Sequence, residues 1–200
     1  MMKTAIGAWD VALAAIIATA PGMGAQQTAD GPQLQADGAV AFPSSYREWM
    51  FLSAGLGMNY GPNAPAAGAP QSFTNVYVNP SSYRAFMKTG AWPDRTMFVL
   101  EIRNSQSEGS INRTGHFQTG IRAIEANVKD ARLPGGWGFY NFGAKTAAVA
   151  PLPHTATCYT CHADNTAVEQ TFVQFYPELM EVAKKMGTVK TSWKEGAPIR

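Results

Sequence analysis

The sequence predicts an α+β fold, in which an antiparallel β-sheet of about four strands is flanked by helices. Two observations lead to this class: several segments are rich in β-branched and aromatic residues, and the later ones are joined by short turns rather than crossover helices. The chain has 200 residues, of which 46% are hydrophobic, so it contains enough apolar material for one core. We expect a single domain over residues 42–200.

The first half of this domain is predicted to alternate helix and strand. A capping-box pattern, Ser-x-x-Glu at 45–48, predicts a helix over 46–54. Residues 73–78 (FTNVYV) have the composition of a strand. A second helix is expected to begin with Asn79 as its N-cap and to end at Gly90.

The second half is predicted to contain three strands and a terminal helix. Residues 96–103 (TMFVLEIR) give the strongest strand signal, residues 117–128 form a third candidate, and residues 136–142 (GWGFYNF) form a fourth. Helical character follows over 166–186 and is interrupted or restarted at Pro177.

The N-terminus has the pattern of a secretory signal peptide over residues 1–25. Lys3 provides a positive charge, residues 11–20 are apolar, and small residues precede a cleavage site before Gln26. A buried helix is the alternative interpretation. Residues 26–41 are rich in Gln, Ala and Gly without periodicity, which predicts a flexible tether.

Charge and hydropathy exclude two classes of partner. The formal net charge is only +2, and no stripe of Lys and Arg appears, so we expect no nucleic-acid binding. The longest uncharged apolar run is about ten residues and lies within the leader, so we expect no membrane span in the mature chain.

One motif in the chain carries specific chemistry. Residues 158–162 read Cys-Tyr-Thr-Cys-His, which is the C-x-x-C-H pattern of c-type haem attachment. Cys158 and Cys161 can form thioethers to the two vinyl groups of one haem c, and His162 can coordinate its iron as the proximal ligand. This interpretation uses both cysteines of the chain. A haem tethered here would pack against the predicted sheet.

Three other interpretations of the motif remain open. A thioredoxin-like redox pair would be expected near a βαβ unit, and none is apparent. A structural zinc site needs four ligands, and only His116 and His154 remain as further imidazoles. The third alternative is a plain disulfide between Cys158 and Cys161.

The sixth coordination position of the iron would decide between electron transfer and ligand binding. An electron carrier usually fills it with Met or His, whereas a gas-binding or catalytic haem leaves it open. The sheet-rich fold and the C-terminal motif favour an open site with strand side chains as its distal wall. The candidate sixth ligands in the mature chain are Met50, Met58, Met87, Met97, Met180, Met186, His116 and His154.

The chain resembles the cytochrome P-460 family, which includes the β-sheet cytochromes c′. The resemblance covers almost the whole mature domain and includes the C-terminal placement of the haem motif. Its matching segments are FPSSYREWMFL (42–52), VYVNPSSYRAFMKTGAWPDRTMFVLEIR (76–103), GHFQTG (115–120), EANVKD (125–130), GGWGFYNFG (135–143), CYTCH (158–162) and TFVQFYPEL (171–179).

The resemblance implies a periplasmic mono-haem protein, often a homodimer, with a five-coordinate iron held by a proximal histidine, here His162. The P-460 enzymes oxidise hydroxylamine, and the c′-like members bind nitric oxide. We therefore expect a small nitrogen species as ligand or substrate and a cytochrome as redox partner.

The P-460 enzymes also carry a lysine linked covalently to the haem ring. The predicted strand over 97–103 contains no lysine, and the nearest upstream candidate for the cross-link is Lys88. Because Lys88 lies in the last turn of a predicted helix, complementing the helix dipole is the simpler interpretation.

Enzymes of the family use a distal carboxylate for proton transfer, and the candidates here are Glu101 and Glu125. Alternation along the strand places Glu101 on one side with the apolar Met97 and Val99, which predicts a raised pKa. In the alternative interpretation Glu101 is an edge residue paired with a base, and Glu125 has the same ambiguity. The candidate bases are Arg103, Arg122 and Lys129.

Overall fold

A five-stranded antiparallel sheet, in the order β1-β2-β3-β4-β5, forms the centre of the computed structural model. The residues that it describes are 30–60, 66, 68–144 and 147–196, so the predicted signal peptide lies outside them. The strands are β1 (Met50–Leu56), β2 (Ser72–Val78), β3 (Thr96–Gln106), β4 (Phe117–Lys129) and β5 (Trp137–Gly143). The predicted α+β class is confirmed, with five strands instead of about four.

Within the described residues, three α-helices accompany the sheet: α1 (Pro80–Thr89), α2 (Thr157–Asn165) and α3 (Pro177–Met186). Short 3₁₀ turns occur at Tyr46–Glu48, Pro134–Gly136 and Val173–Phe175. In the described part of the chain, no helix is long and apolar enough to span a membrane.

The predicted helix over 46–54 is wrong. A single 3₁₀ turn, Tyr46–Glu48, occupies its beginning, and the chain then enters β1. Ser45 makes no side-chain capping bond, so the capping box does not form. The residues after this turn form β1, whose backbone is paired with β2. This pairing outweighs the weak local preference of the segment for a helix.

Helix α1 has the predicted bounds but a different cap. Asn79 stands at the N-cap position, yet its side-chain oxygen accepts a hydrogen bond from the Met97 backbone N–H at 2.8 Å. The Asp30 carboxylate instead accepts bonds from the backbone N–H and the hydroxyl of Ser81, both at 2.7 Å. Gly90 ends the helix in the left-handed region, at φ +70°, which glycine adopts without steric cost.

The predicted helical stretch over 166–186 is helical only in part. Residues 166–172 form a turn region, and α3 begins at Pro177. Glu169 adopts φ +49°, which is incompatible with a continuing right-handed helix. The segment with the C-x-x-C-H motif, whose local pattern predicts no helix, forms α2.

The two faces of the sheet pack against different partners. The helix face, which carries Val78 and Phe98, packs against α1, α3 and the 167–176 segment. The opposite face, which carries Met97 and Val99, is covered by the chain before β1 and by the segment that contains Val149.

Residues 30–41 of the predicted tether range belong to this second layer. Val40 is fully buried and forms β-bridges with both Leu34 and Val149. Two isolated β-bridges hold this segment in place. Since it forms no amphipathic helix or strand, its sequence shows no regular spacing of apolar residues.

Candidate functional site

Helix α2 aligns the three residues of the C-x-x-C-H motif. Cys158, Cys161 and His162 follow the spacing i, i+3 and i+4, which places them on one side of a helix. All three line a cavity of about 550 Å³ between α2 and the helix face of the sheet. This volume lies within the range of about 300–1,000 Å³ that is typical of ligand sites.

The walls of the cavity are mainly apolar. The sheet contributes Val76, Phe98 and Leu100, and the segment after α2 contributes Phe172, Phe175 and Tyr176. Glu125 is the only carboxylate among the lining residues that the structure describes. An apolar cavity with few polar groups suits a flat hydrophobic cofactor.

The His162 side chain has the tautomer that metal coordination through Nε2 requires. Its Nδ1 lies 2.8 Å from the Gln170 carbonyl oxygen, and because a carbonyl only accepts, Nδ1 carries the hydrogen. The lone pair of Nε2 is then available to a metal. Burial lowers the pKa of His162, so the neutral form is favoured. The ring packs between Phe139 and Phe172, with centroid distances of 4.5 and 4.6 Å.

A partly buried polar network fixes the 166–171 turn that contains Gln170. Lys129 Nζ forms an ion pair with Glu169 Oε2 at 2.5 Å, and Glu169 Oε1 accepts the Trp92 backbone N–H at 3.0 Å. Trp92 Nε1 donates to Thr171 Oγ1 at 2.9 Å. Sequence reasoning missed Gln170, because a main-chain acceptor leaves no signal in the side-chain pattern.

The donor set fits haem c. Both thiols are free and partly buried, and burial raises the pKa of each. Two thiols and a neutral imidazole along one wall of an apolar cavity match the attachment and proximal ligation of one haem. Among the described residues, no group of three or more His, Cys, Asp or Glu could hold a separate metal ion.

Glu125 lies at the edge of the candidate haem site. It lines the main cavity and a second one of about 280 Å³ that shares Leu100, Asn127 and Cys158 with the first. Burial raises the pKa of Glu125. The Asn141 amide donates a hydrogen bond to its Oε1 at 3.4 Å, which is long. The structure therefore places this predicted candidate at the cavity.

Glu101 lies on the opposite face of the sheet, which corrects its predicted place in the pocket. Tyr46 donates a short hydrogen bond to it, and Arg47, Arg103 and Asn75 donate at 2.6, 3.0 and 3.2 Å. Burial alone would raise the pKa of Glu101, but these hydrogen bonds outweigh burial and lower it to about 2. The predicted rise of its pKa is therefore wrong.

The alternative interpretation of Glu101 as an edge residue paired with a base is correct only in its pairing with Arg103, because Glu101 is buried and β3 is the central strand of the sheet. Arg103 Nη1 lies 3.0 Å from Glu101 Oε1. Arg122 instead donates to the Ser72 hydroxyl at 3.1 Å, and Lys129 pairs with Glu169. Arg47, which sequence reasoning missed, is the second arginine on Glu101, at 2.6 Å.

Lys88 does not reach the cavity. It is exposed in the last turn of α1, where a positive charge complements the helix dipole, and no lysine lines the cavity in the described part of the chain. Of the candidate sixth ligands, Met58 alone is among the lining residues that the structure describes. His116 and His154 border other surface depressions.

Comparison with known protein families identifies the family of the chain. A family model described as Cytochrome P460 matches residues 43–173, a range that contains all five strands and α2. No curated protein matches the chain.

Proposed function

The chain belongs to the cytochrome P460 family, and from that premise we propose that it is a periplasmic mono-haem c protein that binds or oxidises a small nitrogen species. The expected ligand or substrate is nitric oxide or hydroxylamine. The observation that carries the proposal is the geometry of α2, which presents Cys158, Cys161 and His162 to one apolar cavity.

Each residue of the motif has a defined role in this proposal. Cys158 and Cys161 would hold the haem through thioethers, and Nε2 of His162 would coordinate its iron. When bound, haem supplies an iron centre that takes a small ligand and exchanges single electrons. The Gln170 carbonyl keeps the imidazole in the required tautomer at 2.8 Å.

The cavity supports an open sixth position. The sheet side chains Val76, Phe98 and Leu100 cannot coordinate iron, and they exclude water and anions more than small neutral molecules. We propose that Glu125 accepts or donates protons during chemistry at the bound nitrogen species. Its raised pKa favours a carboxyl that exchanges protons nearer to neutral pH.

An optical spectrum of the purified, haem-loaded protein tests the open site. We expect a high-spin ferric spectrum and a clear shift of the ferrous spectrum when nitric oxide is added. A low-spin spectrum that is indifferent to nitric oxide would overturn the open-site proposal. Turnover with hydroxylamine and an electron acceptor then separates an enzyme from a protein that only binds nitric oxide.

A second candidate function is electron transfer with a filled sixth position. Met58 favours it, since this thioether lines the cavity and accepts a hydrogen bond from the Tyr60 hydroxyl at 3.4 Å. In this case the parent would be low-spin, and Met58→Leu would become high-spin. If Met58→Leu leaves the spectrum of the parent unchanged, the second candidate is rejected.

The proposal also covers the export of the chain, its redox partner and its oligomeric state. The signal-like sequence of residues 1–25 supports export to the periplasm, where a cytochrome would exchange electrons with the haem. Exposed aromatic side chains on the sheet, such as the 52% exposed Phe51, support a homodimer. The mass of the exported chain tests cleavage before Gln26, and light scattering tests the dimer.

A further inference from the structure

Lys190 connects the segment after α3 to the end of the haem-attachment helix. Its Nζ donates hydrogen bonds to the Ala163 carbonyl and to Thr166 Oγ1, both at 2.8 Å. Its backbone N–H donates to the Ala167 carbonyl at 2.8 Å. The ammonium is therefore held at two acceptors beside α2, while its own backbone is fixed to the turn that follows.

These contacts complete the last turn of α2. The final carbonyl groups of a helix have no partner within the helix and need external donors. The Thr166 hydroxyl donates to the His162 carbonyl, Lys190 donates to Ala163, and Gln174 Nε2 donates to Asn165 at 2.8 Å. Lys190 supplies the only charged donor of the three, at the end of the helix dipole that favours a cation.

The positive charge of Lys190 is partly removed from solvent. Burial lowers the pKa of Lys190, and the charge of Asp164 opposes this effect. No carboxylate lies within ion-pair distance of its ammonium among the residues that the structure describes. The Thr166 hydroxyl that accepts a hydrogen bond from Lys190 also donates one to the His162 carbonyl, so the ammonium is one hydrogen-bonded side chain away from the backbone of the proposed iron ligand.

We propose that Lys190 is a positioning residue of the haem site, and that its ammonium, fixed at the C-terminal end of α2, raises the reduction potential of the iron. The inference rests on the proposed attachment of haem to Cys158, Cys161 and His162, but not on the identity of the nitrogen ligand. Lys190 also lies outside residues 43–173, which the family model matches.

The direction follows from electrostatics. Taking up one electron lowers the total charge at the haem by one unit, so a nearby cation stabilises the reduced form relative to the oxidised form. Since the ammonium is partly buried and held by two acceptors, its field is less screened than that of a mobile surface lysine. Hydrogen bonding and local charge are known means by which a protein adjusts haem potentials.

The test compares midpoint potentials of the full-length holoprotein and four variants. A pyridine haemochrome assay first establishes covalent haem in each preparation, and spectroelectrochemical titration then gives the potential. We expect Lys190→Met and Lys190→Gln to have lower potentials than the parent and Lys190→Arg, which retains the charge, to stay close to it. Lys185→Met, which removes an exposed charge from α3, should leave the potential unchanged.

Several results would overturn the inference. Equal potentials in the parent, Lys190→Met and Lys190→Gln would show that the charge does not act on the iron. An equal fall in Lys190→Arg and Lys190→Met would show that charge is not the cause. If Lys190→Met does not fold, Lys190→Gln and Lys190→Arg decide the question. A parent without covalent haem would overturn the proposed attachment together with this inference, whereas unchanged potentials with covalent haem overturn the inference alone.

Discussion

The two faces of the sheet hold two glutamates of opposite character in one β-hairpin. In the β3–β4 register, Glu125 is paired with Leu100, while Glu101 is paired with Ile124, the residue before Glu125. Paired residues of neighbouring strands share a face, and successive residues alternate. A difference of one position therefore sends Glu125 towards the cavity and Glu101 towards the opposite layer.

The surroundings of the two carboxylates explain their different pKa values. Glu101 receives hydrogen bonds from Tyr46, Arg47, Arg103 and Asn75, and its pKa is about 2. Glu125 receives one long bond from the Asn141 amide, and burial raises its pKa. Glu101 is an ionised carboxylate held in a network of hydrogen bonds, whereas Glu125 is the carboxyl that we propose for proton exchange. Two residues of the same type therefore have opposite pKa shifts, because they lie on opposite faces of the sheet.

The largest expected effect is the loss of haem from the helix face of the sheet. Replacing both Cys158 and Cys161 with alanine removes the two thiols proposed to attach the haem on the helix face, so covalent haem should be lost entirely. The denatured polypeptide should then show no haem absorbance. Thr160→Ala, an exposed position within the motif, is the matched control and should retain covalent haem.

The second effect concerns the opposite face. Glu101→Gln removes the charge on which two arginines converge, and we expect the free energy of unfolding to fall by about 2 kcal/mol, less than for a fully buried pair because both arginine side chains are partly exposed. Denaturant titration measures this change. The haem spectrum should stay that of the parent, and a changed spectrum would contradict the assignment of Glu101 to the layer away from the cavity.

The same network predicts a pH dependence of stability. Since the pKa of Glu101 falls from 4.5 to about 2 on folding, its contribution is complete above pH 4.5 and is lost as the pH falls towards 2. The difference in unfolding free energy between the parent and Glu101→Gln should shrink over this interval. A difference that stays constant down to pH 2 would contradict the role of the carboxylate charge.

The third effect concerns Glu125. If the protein oxidises hydroxylamine, Glu125→Gln should lower turnover by about 100-fold, the lower end for loss of general acid–base catalysis. The pH profile should lose the corresponding ionisation, while the free energy of unfolding changes by less than about 1 kcal/mol, because the hydrogen bond from Asn141 is long and the glutamine oxygen can still accept it. Glu108→Gln, at an exposed glutamate, is the control. An unchanged pH profile would remove Glu125 from the mechanism.

The smallest expected effect is at Lys88. Since this side chain is exposed at the end of α1 and no described lysine lines the cavity, Lys88→Met should leave the ferrous Soret band unchanged. A parent with a strongly red-shifted ferrous Soret band that returns to the usual position in Lys88→Met would contradict this placement.

Local patterns predicted the parts of the molecule that depend on near neighbours. Asn79 and Gly90 mark the helix that forms between β2 and β3, and the strand segments after it were recognised from their composition. The error at 46–54 arose because β1 is a strand only through its pairing with β2. The Lys129–Glu169 pair behind Gln170 joins residues 40 positions apart, which no local pattern reveals.

The sequence by itself determined the chemical character of the site. The spacing of Cys158, Cys161 and His162 places them on one side of α2 for any right-handed helix, because 3.6 residues complete a turn. Only the tertiary structure decided which carboxylate shares that site. The alternation of side chains along β3 places Glu101 on the face opposite to Leu100 and Ile102. Which of the two faces borders the cavity depends on where α2 and the N-terminal segment pack. Such long-range packing is a property of the whole chain, so no single segment could disclose it.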